Sequence, residues 1–535
     1  MSTPADAATA PAMAAADPLA ISQTGRLPPR EVLHPQVPAD DWQAARGGRR
    51  MDADVVIVGT GPGGSAAALA LARAGARVVL VEEGPAQQRF RPNQGHTARY
   101  HMQEGGSMIA QGSGFLPIAA GRGVGGGTLV NSALSFRAPA GILDGWATAL
   151  DDEGLSSAAL APIYDEVADL SGVRFMWDQV AGDNNKLLVR GIDALGLPGG
   201  LAPRSTPACQ GCGQCNFGCA VGGKASTNLT FLPRAHALGA RIQADTRAVE
   251  VLVEDGRAVG VRGEARHPDT GEPVGEVRVR ADKVLLSAGA IGTPRLLWHQ
   301  GIASKLGPVG EGLHVHPGNA VLGVADDEIY MWKGATQGAY FHHPDLPGVL
   351  PHGFTAPPEA TLLALGLVGP RLQEGLELLP YLCGAVVMVS DKGGGKVRAH
   401  RDGRAAITYH FAEHDLDRTK AGMVETARVL FAGGARRVTG LAFGVGWHDD
   451  VNRFAAVLAT RRLADFTLYA AHPMSTCRIG RDPDHSVVGL DGQAHRLPGL
   501  YIADAGVFPT SLGVNPQLTT MAMGSLIGGR MAAGA

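Results

Sequence analysis

No apolar run in the 535 residues reaches the roughly 18–20 residues that a membrane-crossing helix needs. The stretch 362–368 is among the longest and is far too short. Charge of one sign is also scarce. Lys and Arg number 47 against 50 Asp and Glu, a net charge of −3, so there is no basic field to hold nucleic acid. A membrane-spanning protein and a dedicated nucleic-acid binder are set aside on these grounds. Only 8 of the 47 basic residues are Lys, which points to a GC-rich coding bias. The chain has no Cys-x-x-Cys-His haem site and no repeat of 20–50 residues. Residues 1–19 carry two Asp and no Lys or Arg, unlike a secretory leader with its basic start and apolar stretch. The expectation is a cytoplasmic protein with reduced thiols.

What remains is an ordinary globular composition, 45% apolar and 18% charged. At roughly 100–200 residues per domain, the length allows about two to four domains or lobes. Glycine is abundant at 75 residues, about twice the usual share. Part of that excess is coding bias, and part suits tight turns and close backbone approach to a ligand. Residues 1–50 are rich in Ala and Pro without periodicity and read as a mobile arm, settling on the body near Trp42. Order begins at Asp52. Residues 54–59 form a short apolar run ending in Gly, a buried strand. An Ala/Leu-rich helix over 65–74 and a second buried strand over 77–82 follow. A strand–helix–strand unit implies a parallel sheet with a right-handed crossover. Similar strands recur at 284–287 and 500–503, so the sheet gathers distant parts of the chain. Between 317 and 464, strand-like alternation at 385–390 and 405–411 predicts a separate lobe on an antiparallel sheet.

Gly59-Thr-Gly61-Pro-Gly63-Gly64 fits G-x-G-x-x-G. It follows a strand, opens a helix, and precedes by 23 residues an acid, Glu82, at the end of the second strand. That is the context of a dinucleotide fingerprint. Gly59 permits the tight turn, Gly61 the approach of backbone to pyrophosphate, and Gly64 close helix–strand packing, while Glu82 accepts from the adenosine ribose. A second Gly-dense stretch, Gly121-Arg-Gly-Val-Gly125-Gly126-Gly127-Thr128-Leu-Val-Asn131, suits backbone passing along a ligand, with Asn131 as a polar anchor.

That second stretch resembles the first signature of the glucose–methanol–choline (GMC) family of FAD-dependent oxidoreductases. Ser287-Ala-Gly289-Ala-Ile-Gly292-Thr293-Pro294 resembles the second. His472-Pro-Met-Ser-Thr-Cys477, then Asp504-Ala505, then Asn515-Pro516, follow the family's C-terminal block in order and spacing. The resemblance spans about residues 52–533. It implies an α/β fold in which 51–150, 221–316 and 465–535 build a discontinuous Rossmann-like FAD domain. Residues 151–220 form a cap segment, and 317–464 a substrate-binding lobe on an antiparallel sheet. It implies FAD contacts from Gly59, Gly61, Gly63, Gly64, Glu82, Arg122, Gly126, Thr128, Asn131, Asp504, Ala505, Asn515 and Pro516, and from the Val249 backbone at the adenine. Three positions depart from the family: Ser475 where Gly is usual, Gln300 where Ser is usual, and Gly127 where Ser is common. Relatives that attach FAD covalently do so near 96–120, where no motif singles out His96 or His101.

Oxidising an alcohol removes a proton from oxygen and a hydride from carbon. A flavin takes the hydride, so the protein must manage the proton, and imidazole suits that task near neutral pH. By the resemblance, His472 is the base and Asn515 holds the substrate oxygen. Asn515-Pro516 also reads as a helix N-cap followed by Pro at the first helical position.

Cys209, Cys212, Cys215 and Cys219 have the spacing of a bacterial ferredoxin segment, with Ala220 where Pro is usual. Three readings stay open: an iron–sulfur cluster, a zinc ion, and disulfides or free structural thiols. The segment and the tail Gly223-Lys224…Leu232-Pro-Arg-Ala235 resemble long-chain alcohol and sterol oxidases of the family. The expected function is therefore FAD-dependent oxidation of an apolar, long-chain or sterol-like alcohol. Oxygen, a quinone or a redox protein would be the electron acceptor. The alternative is a sugar or polyol dehydrogenase that passes electrons through an iron–sulfur cluster to a partner. A third is a non-catalytic flavoprotein or a lyase using FAD structurally, against which both His472 and Asn515 speak.

Overall fold

The computed structural model describes residues 37–86, 90–91 and 93–534. From Val55 to Val58 the first strand, Arg49–Val58, is buried on both faces, and such a strand belongs inside a sheet covered on both sides. It pairs in parallel with Val78–Val81 on one edge and with Pro273–Leu286 on the other. The helix Pro62–Arg73 makes the crossover, with Pro in its first turn. The sheet has seven strands. Its order is Arg241–Gln243, Val78–Val81, Arg49–Val58, Pro273–Leu286, Arg257–Arg266 and Thr246–Glu254, and Leu500–Ile502 pairs in parallel with the end of Pro273–Leu286. The strand expected at 284–287 is thus the end of a 14-residue strand. Its earlier part also pairs antiparallel with Arg257–Arg266. The C-terminal helix Gln517–Ala533 lies against Pro62–Arg73. At Gly524 a β-carbon would stand 2.4 Å from the Gly63 carbonyl oxygen, so only glycine permits this approach.

A second sheet of six strands is antiparallel throughout. Its order is Ala435–Gly440, Gly318–Ala325, Leu382–Val389, Val349–Gly353, Ala339–Phe341 and Gly199–Leu201. Gly318–Ala325 and Leu382–Val389 are wholly buried, and the 21-residue helix Glu413–Gly433 packs on this sheet. A five-stranded sheet joins Glu311–Leu313, Gly394–Ala399 and Ala405–His410 to Ile109–Gly112 and Leu116–Pro117. Ala405–His410 pairs in parallel with Ile109–Gly112, so the 405–411 strand lies outside the lobe's antiparallel sheet. Both smaller sheets take strands from more than one of the segments drawn on the sequence.

The arm also needs correction. Residues 1–36 lie outside the described residues, but 37–50 are part of the body. Val37 and Ala45 are buried. The Asp40 amide donates to the Ile242 carbonyl at 2.8 Å, and Arg49 pairs with the Asp40 carboxylate at 2.7 Å. The Trp42 ring rests on His267, centroids 4.5 Å apart. No helix among the described residues is long and apolar enough to cross a membrane.

Candidate active site

A cavity of ≈ 470 Å³ is walled by the ends of the parallel strands and by the antiparallel lobe. At one end lies the Gly-rich cradle. Gly59 has φ +100°, and a β-carbon there would meet the Ser287 carbonyl oxygen at 2.3 Å. Gly61 is the N-cap of Pro62–Arg73. No atom lies within 4 Å of where its β-carbon would be, so its backbone fronts open space at a helix N-terminus, the natural seat of an anion. Gly126, from the second Gly-dense stretch, comes so close that a β-carbon would sit 2.6 Å from the Gly61 Cα. Gly63 and Gly64 are pressed in the same way against the Ala503 and Gly59 carbonyl oxygens.

The polar residues around the cradle are tied into the protein. Glu82 is buried and accepts four hydrogen bonds, from the Thr60 amide (3.0 Å) and hydroxyl (2.6 Å) and from the Gly84 (2.9 Å) and Gly123 (3.1 Å) amides. Burial pushes its carboxyl above the ordinary value against those donors. A ribose hydroxyl would share or replace one of them. Glu83 also lines the cavity and pairs with Arg295 at 3.2 Å. Burial alone would raise its carboxyl, but Arg295, Arg122 and Arg247 bring it down to about 2. The Arg122 side chain donates to the Glu83 carbonyl at 3.3 Å, and its buried Nε has no partner. Thr128 donates to the Gly125 carbonyl at 2.6 Å and shapes the loop. Asn131 bonds Gln517, whose side-chain amide reaches Ser205. Asp504 accepts from the Gly289 amide (2.9 Å), the Thr293 hydroxyl (2.6 Å) and the Gly506 amide (2.8 Å). It thereby joins the second signature to the C-terminal block, and burial raises its carboxyl to about 6. Ala505 and Pro516 line the cavity too. Val249 does not; on that strand Thr246 and Ala248 do, two residues apart and so on one face. Neither His96 nor His101 is among the lining residues. Open backbone at a helix N-terminus, interlocked glycines and an orphan guanidinium nitrogen fit a dinucleotide such as FAD.

At the other end, His472 and Asn515, 43 residues apart in the chain, meet with Nε2 and Nδ2 3.1 Å apart. His472 is held well below the usual imidazole value, first by burial and then by His316 and His352; Asp391 opposes the shift. It is therefore neutral at pH 7 and free to accept a proton. The Asn515 Oδ1 is buried without a partner. Asn515 is not the helix cap expected from sequence. Gln517–Ala533 starts from Pro516, whose carbonyl accepts from the Thr520 amide at 2.8 Å, and this leaves the Asn515 side chain for the cavity.

Sequence reasoning missed His316, His352, Tyr469, Gln337, Asn216 and Met388, which also line this end. The His316 ring stands edge-on to His472, centroids 5.5 Å apart. No local pattern marks these residues; only His352 and Met388 stand on paired strands, and the others come from turns and loops distant in the chain. The departures from the family pattern each have a place. Ser475 has φ +70°, a conformation that suits Gly. The Gln300 amide bonds the Val251 backbone twice, at 2.9 and 2.8 Å. Gly127 lines the cavity.

All four clustered cysteines line a separate cavity of ≈ 10 Å³, room for about one water. Among the described residues no group of three or more His, Cys, Asp or Glu side chains could hold a metal ion. All six cysteines are free. Neither the iron–sulfur nor the zinc reading therefore finds a fitting ligand set. Two buried cations stand beside one of the thiols instead. Arg204 and Lys224 are buried beside Cys215. Arg204 Nη2 donates to the Cys215 sulfur at 3.1 Å. The Lys224 ammonium donates to the Leu129 (2.7 Å), Asn131 (2.9 Å) and Cys215 (2.9 Å) carbonyls. Burial alone would raise the Cys215 thiol, but the two cations bring it below its ordinary value. Cys209, by contrast, is pushed up to about 11, and Cys212 and Cys219 are also raised, all three chiefly by burial.

Comparison with known proteins agrees with this geometry. The GMC oxidoreductase family models match residues 98–318 and 393–524, and a model of FAD-dependent oxidoreductases matches 54–86. A GMC-type oxidoreductase of Mycobacterium tuberculosis is 33% identical over 88% of this chain and 74% of its own length. A long-chain-alcohol oxidase of Arabidopsis thaliana is 25% identical over 90% of this chain and 68% of its own. Pyridoxine 4-oxidase from Mesorbium loti shares the fold, with a TM-score of 0.67 at 18% identity over 89% of this chain and 98% of its own. With the interlocked glycine cradle at one end of the cavity and the His–Asn pair at the other, the chain belongs to the GMC oxidoreductase family and is an FAD-dependent, alcohol-oxidising enzyme.

Proposed function

We propose that His472 takes the hydroxyl proton of a bulky apolar alcohol, long-chain or sterol-like, while Asn515 holds its oxygen. The observation that carries this reading is the 3.1 Å contact between the two side chains at the cavity wall. A hydroxyl that takes the place of this contact donates its hydrogen to Nε2 and accepts from Nδ2. The carboxamide then stays on the oxygen as negative charge develops there. Bound FAD supplies the acceptor for the hydride that leaves carbon. Burial keeps the imidazole unprotonated at working pH, and the enclosing walls keep water from the reacting oxygen.

Two observations support an apolar substrate. Leu134, Met388 and Tyr469 line the cavity. Beyond the strand that holds His352, the helices Pro358–Ala364 and Pro370–Leu378 and their linker expose Leu363, Val368, Leu372 and Leu376. Similarity to long-chain-alcohol oxidases at 25–28% identity points the same way. A small-polyol reading is favoured by one relative, a 2-methyl-1,2-propanediol dehydrogenase of Mycolicibacterium austroafricanum, 25% identical over 93% of its length. Its iron–sulfur element gains nothing from the cysteine segment. The free cysteines suit a reducing cytoplasmic setting, which we propose as its location; cell fractionation tests this.

The experiment is flavin bleaching under argon with fatty alcohols, sterols, diols and sugars. We expect fast bleaching by the apolar set and a loss of about 100-fold or more in His472→Ala. Bleaching of His472→Ala at the parent rate would refute the base. Preference for the diols would refute the substrate class. Reoxidation by air against reoxidation by artificial acceptors then separates oxidase from dehydrogenase.

A further inference from the structure

Asp391 follows the strand Leu382–Val389, and its carboxylate is fully buried. Among the described residues no Lys or Arg forms an ion pair with it; its partner is His314, whose Nδ1 lies 3.3 Å away. Oδ2 also accepts from the Tyr409 hydroxyl (2.8 Å) and the Val315 amide (3.0 Å). Oδ1 accepts from the Ser511 hydroxyl (2.7 Å) and the His316 amide (3.3 Å). A buried charge held by so many donors and by no Lys or Arg is costly unless it serves something.

Apart from Tyr409, on the strand Ala405–His410, the donors come from two loops. One is 314–316, which carries His316 against the His472 ring. The other is 511–513, which runs into Asn515. The Gly513 amide donates to His316 Nε2 at 2.9 Å, which closes the two loops on each other. A third loop is tied in by paired backbone bonds between His314 and Met474, at 3.1 and 2.9 Å, and it carries His472. His316 has φ +49° and Ser475 φ +70°, so both loops are held in a conformation unfavourable for their residues. One carboxylate thus braces every segment that presents the reacting pair.

We propose that Asp391 is a positioning residue for this reaction: it fixes the loops that bring His472 and Asn515 together, and its charge favours the imidazolium that forms when His472 takes the substrate proton. The inference rests on the proposed role of His472. The titratable groups facing His472 are His316 from the 314–316 loop, His352 from Val349–Gly353, Tyr469 three residues upstream, and Asp391. Burial and the two imidazoles lower the His472 value, while Asp391 alone raises it.

The test is the pH profile of anaerobic flavin reduction, with the alcohol that bleaches the parent fastest. Base catalysis by His472 gives a limb that rises with pH through the imidazole pKa. Asp391→Asn removes the negative charge, so the limb should move to lower pH by on the order of one unit. Tyr409→Phe and Ser511→Ala keep the carboxylate but remove hydroxyl dipoles that partly cancel it. The same limb should then move to higher pH by a few tenths of a unit. Opposite signs distinguish charge from loosening, which would push all three variants one way. A limb left in place or raised in Asp391→Asn overturns the inference. If that variant does not fold, a limb left in place or lowered in the two hydroxyl variants overturns it. A fully active His472→Ala would instead remove the base reading itself, so the two failures are separable.

Discussion

Ser475 combines two local costs next to the reacting pair. Its backbone is in the left-handed region at φ +70°, and its hydroxyl is buried without a partner. A side chain in that region costs about 1–3 kcal/mol, against about 0.5–1 kcal/mol of chain freedom that glycine loses on folding. Ser475→Gly should therefore raise stability by about 1 kcal/mol, seen as a higher urea midpoint at unchanged slope. A lower midpoint would show that the hydroxyl contributes something that outweighs the backbone strain. Residues like this show where sequence was informative. His472 and Asn515 were legible because each sits in a motif whose neighbours are themselves constrained. His352 and His316 were not. The place of His352 at the cavity follows from the register that sets it against Val386 and Val386 against Ala320, His316 comes from the loop before the Ala320 strand, and no window of sequence encodes a register between strands so far apart.

At the scale of elements, the cysteine segment shows how spacing can mislead. A run of thiols at ferredoxin intervals predicts a metal only if nothing else meets their charge. Here Arg204 and Lys224, from flanking stretches, converge on Cys215, and the other three stay protonated. The loop also supports the cavity wall, because the same cations bind the Leu129, Asn131 and Ser132 carbonyls. Removing the sulfur that accepts from the buried Arg204 guanidinium leaves a charged donor unsatisfied, which costs about 1.5–3 kcal/mol. Cys215→Ser should destabilise by that order, and Cys209→Ser or Cys212→Ser by about 1 kcal/mol, in urea melts followed by tryptophan fluorescence. Equal losses at all three positions, or an equivalent of iron or zinc in the purified parent, would show that the four thiols act as one set. The glycine fingerprint, by contrast, translated directly, because Gly59, Gly63 and Gly64 meet backbone that no side chain could pass and Gly61 fronts open space at the helix start. The helix Gln517–Ala533 was legible in place but not in its start. A proline that carries the cap reads the same, in sequence, as a proline one residue inside it.

The described chain is built on one largely parallel sheet collected from distant segments and closed over by an antiparallel lobe. The buried strands showed the first half of that plan, because a parallel sheet covered on both faces needs continuous apolar runs. They did not show that the lobe borrows Gly199–Leu201 and that Ile109–Gly112 leaves its own segment, since strand pairing across more than 100 residues leaves no local trace. Closing the lobe over the sheet buries imidazoles, and this has a global consequence. His101, His316 and His352 are lowered to about 4, and His472 falls well below its ordinary value, each chiefly by burial. Below pH 6.5 the unfolded chain protonates all four while the native chain does not, so stability is lost as the pH falls towards 4. Asp245, raised to about 7, and Asp504, raised to about 6, act in the opposite sense in the same window, because the native state keeps their protons longer. Glu82, also raised, joins them. The lowered histidines outnumber the raised acids, so unfolding takes up protons and stability should fall with a measurable slope between pH 6 and 5. Urea melts of the protein at half-unit steps measure that slope. In the triple variant His101→Asn, His316→Asn, His352→Asn the acids dominate, and stability should rise on acidification over the same interval.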